Sequence, residues 1–90
     1  MPTVRFPPVM KYYLENHNEF PVNASTVDEV VRVVVERYPA VKSHVLDADG
    51  KLRRHFNVFV NGEHICELNG MDTLIKENDR VILMASSAGG

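Results

Sequence analysis

The sequence predicts an α+β domain, on three observations. One segment has helical periodicity with capping signals at its start. Several short segments alternate apolar and polar residues as strands do. The order is strands, then one main helix, then more strands, which places a single helix against a sheet.

The helix spans about Val27 to Tyr38. Thr26 and Glu29 form a T-x-x-E capping box, in which each side chain takes an orphan backbone N–H. Val27, Val30, Val31, Val34 and Tyr38 recur at helical spacing and make one apolar face. Valine is a mediocre helix former, so packing must hold this helix. Pro39 marks its end. Before it, Thr3–Phe6 alternates as a strand until Pro7-Pro8 stops it, and Glu19–Asn23 is a second strand that Pro21 pushes toward a sheet edge. Val9–Leu14 is apolar and aromatic, without a clear period. After the helix, Val41–Leu46 suggests a short second helix, and Asp47–Gly50 a turn. His55–Val60 is the strongest strand signal. Asn61-Gly62 is a hairpin turn, since both residues accept positive φ, and Glu63–Glu67 is its expected return strand. Glu77–Asp79 is a further turn, and Arg80–Met84 the last strand.

The chain has 90 residues, 44% of them apolar, which fits one folded domain rather than a disordered segment. A domain over residues 1–84 is expected, with residues 85–90 as a flexible tail, because Ala85-Ser86-Ser87-Ala88-Gly89-Gly90 has no large apolar side chain to anchor it. A net charge of −2 gives no reason to expect nucleic acid as a partner. No apolar run approaches the ~20 residues of a membrane span. The N-terminus lacks a signal-peptide layout, and the single Cys66 fits a reducing compartment, so a cytoplasmic location is expected.

No constellation of nucleophile, acid and base stands out, and an enzyme is not expected. His64 and Cys66 could share a strand face as ligands, but metal sites need three or four ligands and a structural hairpin is the simpler reading. The residues around Cys66, Ile65 and Leu68, suggest partial burial. Asp47 and Asp49 resemble the start of a calcium loop, but the later acidic ligand is missing where Val58 stands. No bound cofactor is expected.

Three stretches carry a specific resemblance: Val58-Phe59-Val60-Asn61-Gly62, the run Glu77–Leu83, and the terminal Ala88-Gly89-Gly90. A V-N-G turn, a D-x-V strand and a final Gly-Gly in this order make the sequence similar to the ThiS/MoaD family of sulfur carriers, relatives of ubiquitin. The loop 46–52 followed by Arg54–Asn61 is most similar to the carrier of a cysteine-forming pathway in actinobacteria. The resemblance implies a ubiquitin-like β-grasp fold, with a mixed sheet and the main helix across one face. It implies that Gly90 is the site of adenylation and of the thiocarboxylate, with Gly89 and Ala88 as the slender tail before it. The partners it implies are a ubiquitin-activating-enzyme-like adenylyltransferase, which uses ATP, and a sulfur-accepting synthase of a cysteine, molybdopterin, thiamin or other sulfur-metabolite pathway. A ubiquitin-like modifier, conjugated through Gly90, is the alternative. Many members have proline just before the tail; here Ala85-Ser86 stands there, which suggests a more flexible root.

Strand alternation adds a docking surface. If Phe56, Val58 and Val60 face the helix, Phe59 faces away from it, and so do Ile82 and Met84 on the last strand. Phe59, Ile82 and Met84 would form an exposed apolar patch beside the tail, unless Val9–Leu14 or a dimer mate covers it.

Overall fold

A computed structural model describes residues 1–86. The strands are β1 (Thr3–Arg5), β2 (Glu19–Pro21), β3 (Phe56–Val60), β4 (Glu63–His64) and β5 (Arg80–Ala85), with helices α1 (Val27–Arg37) and α2 (Lys42–Val45) between β2 and β3. They form one mixed sheet in the order β2-β1-β5-β3-β4. The central β1–β5 pair is parallel and all the others are antiparallel. The first and last strands therefore lie side by side inside the sheet, and Pro21 lies on an edge strand, where its missing N–H costs no ladder bond. This is the α+β, ubiquitin-like β-grasp arrangement the sequence suggested.

The capping at α1 differs from a standard box by one residue. Thr26 Oγ1 accepts from the Glu29 N–H at 3.1 Å, but Glu29 Oε1 accepts from the Ser25 N–H at 2.7 Å rather than from that of Thr26. Val27, Val30, Val31 and Val34 are all 0–1% exposed and pack on the sheet's inner face, where Val4, Val58, Val81 and Leu83 point. The α1 valines are held by this burial, worth roughly 1.5–3 kcal/mol for each apolar side chain removed from water. Tyr38 caps the helix and is buried beside the Phe20 ring, at a centroid distance of 5.3 Å.

The segment without a clear period, Val9–Leu14, is largely a 3-10 turn over Pro8–Tyr13. Met10 and Leu14 plug one end of the core, while Val9 and Tyr12 face solvent. The expected return strand Glu63–Glu67 is shorter than its pattern. Pairing stops at His64, and Ile65–Glu67 turn into a 3-10 helix. His64 Nδ1 accepts from the Cys66 N–H at 3.0 Å, so a side chain caps the turn that ends the strand. This bend buries Ile65 and leaves Cys66 exposed, correcting the partial burial expected of the thiol.

The α1 valines make a clear stability test. Val34→Asp buries an unpaired carboxylate in the centre of the core and is expected to abolish cooperative thermal unfolding, read by circular dichroism. A melt within a few degrees of wild type would mean that α1 does not pack as described.

Candidate functional site

The site is built on the outer face of the sheet, away from α1. The register there is set at the β3–β4 turn. Asn61 and Gly62 take φ of +50° and +87°, so the tight turn uses the two residue types that tolerate that region. The Asn61 side chain then ties the turn to the start of β5. Its Oδ1 accepts from the Arg80 N–H at 2.9 Å and its Nδ2 donates to Asp79 Oδ1 at 2.9 Å. Asp79 Oδ2 accepts from the Lys76 N–H at 2.8 Å. The V-N-G turn and the D-x-V strand are thus two halves of one hydrogen-bonded clasp. The Asn61 amide, and then the Lys76 N–H, hold the Asp79 carboxyl below the ordinary carboxylate range.

With that register, Val58 lies opposite Leu83 and Phe59 opposite Ile82. Val58, Val60, Val81 and Leu83 are buried beneath the sheet. Phe59, Ile82 and Met84 share the outer face, as alternation required. The row through Phe59 crosses the whole sheet: His64, Phe59, Ile82, Arg5 and Glu19 are successive cross-strand partners. Met84 is 54% exposed. Phe59 is half-buried rather than open, because the His64 ring stands edge-on against it at 5.1 Å between centroids.

Beside Ile82 and Met84 lies an apolar groove of about 490 Å³, walled by Pro7, Pro8, Val9 and Ala85. Val9 is 81% exposed at its rim. The 3-10 turn therefore frames the patch and does not cover it. Pro7 and Pro8 were not recognisable as part of this surface from the sequence, where they read only as a strand stop.

At the tail root, β5 runs through Ala85, one residue beyond the strand expected. The next residue remains tied to the sheet: the Ser86 N–H donates to the His55 carbonyl at 2.6 Å, and Asn57 Nδ2 donates to Ser86 Oγ at 2.8 Å. Ser86 thus uses a backbone donor that a proline in its place would lack. Ala88, Gly89 and Gly90 lie outside the described residues.

Among the described residues, no three His, Cys, Asp or Glu side chains converge as a metal centre requires. His64 engages the Cys66 backbone N–H, and its Nε2 faces Asn57. Asp47 Oδ1 accepts from the N–H groups of Lys51 and Asp49, an Asx-type turn in which the carboxylate serves its own loop; the Lys51 N–H is the main cause of its lowered pKa. No helix among the described residues is long and apolar enough to cross a membrane.

The ThiS family model matches residues 11–90, and the chain belongs to that family. Over 90 residues it is 26% identical to the sulfur carrier protein CysO of Mycobacterium tuberculosis, covering 98% of this chain and 97% of that protein. It is 32% identical over 66 residues to small archaeal modifier protein 3 of Haloferax volcanii, covering 73% and 71% of the two. Among solved structures, a chain of the Amycolatopsis orientalis BexX/CysO complex superposes with a TM-score of 0.86 at 26% identity, each chain fully covered. Within this ThiS family, the full-length likeness to CysO makes the chain a small sulfur carrier.

The Asn61–Asp79 clasp gives this subsection its test. Asn61→Ala removes two side-chain hydrogen bonds and puts alanine, which tolerates positive φ less well than asparagine, at φ +50°, so a loss of about 1–2 kcal/mol is expected in denaturant unfolding. The sign with pH follows from the lowered Asp79 pKa. The clasp's contribution is fully present above the unfolded carboxylate value of ~3.9 and fades as pH falls through the lower folded value, beginning below about pH 5. Asn61→Ala should therefore lose less stability than wild type between about pH 5 and pH 2. Parallel acid limbs for the two proteins would show that the clasp does not hold Asp79.

Proposed function

We propose that this sulfur carrier works through the Gly90 carboxylate and docks its activating enzyme on the outer sheet face. The observation that supports the reading is the apolar groove beside exposed Met84 and half-buried Ile82, on the strand that leads toward the C-terminal glycines. The carboxylate at Gly90 is an anion at neutral pH, since an α-carboxyl titrates near ~3.5. It is a poor acyl donor because oxide is a poor leaving group. On an adenylyltransferase its oxygen attacks the α-phosphorus of ATP and pyrophosphate leaves. Hydrosulfide then attacks the carbonyl carbon of the acyl-adenylate and displaces AMP, which leaves a thiocarboxylate. ATP is the enzyme's substrate throughout, and the carrier supplies only its end.

Gly89 and Gly90 suit a narrow channel, having no Cβ to meet its walls. The four residues beyond Ser86 span at most roughly 14 Å when extended, the reach available to carry the carboxylate into an enclosed site. A sulfur-accepting synthase takes the thiocarboxylate in turn. The likeness to CysO along the full chain favours the cysteine-forming branch over the molybdopterin and thiamin branches. A cytoplasmic setting follows from the need for ATP and for a reduced sulfur source. The 32% identity to an archaeal modifier protein favours one second reading, conjugation of Gly90 to lysines of other proteins. Both readings share the adenylation step.

Incubation with a genomically linked adenylyltransferase, ATP and sulfide is expected to raise the intact mass by one sulfur minus one oxygen. Deleting Gly90 should abolish that gain and leave the melting temperature nearly unchanged. No gain with any linked enzyme overturns the carrier mechanism, and tryptic peptides of cellular proteins with residues 81–90 joined to a lysine would instead support the modifier.

Docking has its own test. Phe59→Ala is expected to weaken binding to the adenylyltransferase about tenfold or more, near 1.4 kcal/mol, measured by calorimetry. Its effect on stability should stay well below the roughly 3–5 kcal/mol of a fully buried phenylalanine. Unchanged affinity would remove Phe59 from the interface.

A further inference from the structure

The outer face carries a chain of hydrogen bonds that the docking patch does not require. His64, Asn57 and Ser86 lie on three adjacent strands or their direct continuation, each diagonal to the next across the pleat. His64 Nε2 is 3.0 Å from Asn57 Oδ1, and Asn57 Nδ2 is 2.8 Å from Ser86 Oγ. The proton positions along this chain are fixed by its first member. The Cys66 backbone N–H can only donate, so His64 Nδ1 must accept, and the neutral ring must then carry its proton on Nε2. That N–H donates to Asn57 Oδ1. The Asn57 amide is thereby oriented with its NH₂ toward Ser86, the last of the described residues. The His64 ring is itself held edge-on by Phe59.

We infer that Asn57 is a positioning residue: clamped by His64, it fixes Ser86 against β3 and so sets the direction in which the C-terminal end leaves the sheet beside Phe59 and Met84. This rests on the reading of that end as the working group. The physical reasoning is one of populations. A tail whose root points correctly only part of the time binds its enzyme more weakly by that fraction. Holding Ser86 by both its backbone and its side chain raises the competent fraction before the partner arrives. Once the enzyme grips the end, the relay has no further role. Its loss should therefore appear in KM for the carrier and not in kcat.

The amide of Asn57 can be replaced in two informative ways. Leucine is of similar size and bonds neither neighbour. Aspartate keeps both contacts, with one oxygen accepting from the His64 Nε2–H and the other from the Ser86 hydroxyl, whose proton turns round. Nitrogen-15 relaxation of the free carrier is expected to give a Ser86 order parameter near about 0.85 in wild type and Asn57→Asp, falling below about 0.6 in Asn57→Leu. In adenylation assays Asn57→Leu should raise the carrier's KM about three- to tenfold at constant kcat, and Asn57→Asp should restore it. Ser86→Ala removes only the last bond, leaves the His64–Asn57 pair intact, and should share the KM defect. An unchanged Ser86 order parameter in both Asn57→Leu and Ser86→Ala overturns the inference. So does Asn57→Asp behaving like Asn57→Leu, or a defect confined to kcat. The relaxation measurement needs no sulfur chemistry, so failure of wild-type carrier to be adenylated would refute the carrier mechanism and not the relay.

Discussion

The antiparallel pairing of β3 with β5 is the constraint on which the rest of the molecule depends. It places Val58 against Leu83 and Val60 against Val81 on the helix side, and Phe59 against Ile82 on the other. Because side chains alternate along a strand, a slip of one residue would exchange these sets and expose the valines to water. Core, docking face and tail root are therefore consequences of a single register. The Asn61 clasp pins that register at one end, joining the turn after β3 to the first residues of β5. The Ser86 contacts close it at the other, where the His55 carbonyl extends the ladder by one pair. Parallel pairing of β1 with β5 then locks the strand between two neighbours. The strand that precedes the C-terminal glycines is thus held on both sides.

Much of this was legible because it is written in local patterns. The period of the α1 valines, the Thr26 cap, Asn61-Gly62 and the alternation in residues 56–60 and 80–84 each reflect physics acting within a few residues. Helix, hairpin and strand faces could be assigned from them, and the outward placement of Phe59, Ile82 and Met84 follows from period two alone. What escaped reading depends on partners distant in the chain. Residues 63–67 carry a plausible strand pattern, but His64 caps a turn there and Ile65 is recruited into the core. Cys66 is exposed for the same reason. Glu29 reaches Ser25 rather than Thr26, a choice its local sequence does not announce. The Pro7-Pro8 pair reads as a stop signal in one dimension and becomes a groove wall only when the sheet brings it beside Met84.

The candidate site was legible in a different measure. The terminal glycines could be recognised only through resemblance, since two glycines at an end have no periodicity. Their neighbours could be argued physically. Ser86 at the tail root is instructive. A proline stiffens a root by fixing φ, acting within its own residue. Serine achieves restraint through two hydrogen bonds to β3, acting between residues, and those bonds involve Asn57 and His55, about thirty positions earlier. The same mechanical end is reached by contacts that a sequence read from left to right does not display.

These features divide the protein into a part that is stable and a part that reacts. The buried face supplies the stability: valines from α1 and alternate residues of β3 and β5 close a core without a buried unsatisfied polar side-chain atom among the described residues. No group with acid, base or nucleophile duties is needed in it. The outer face is free to be shaped for recognition, because residues there contribute less to folding. The proposed function, in which two enzymes visit the carrier in succession, gains from this separation. Under the proposed function, the same patch and tail root would meet an activating enzyme and a sulfur acceptor in turn, and neither encounter would disturb the core. Phe59 is where the two parts touch. It pairs with Ile82 in the docking row and steadies His64, whose ring begins the hydrogen-bonded path to Ser86. A partner side chain pressing on Phe59 would therefore bear on the same ring that orients the tail root, which couples recognition of the face to presentation of the end.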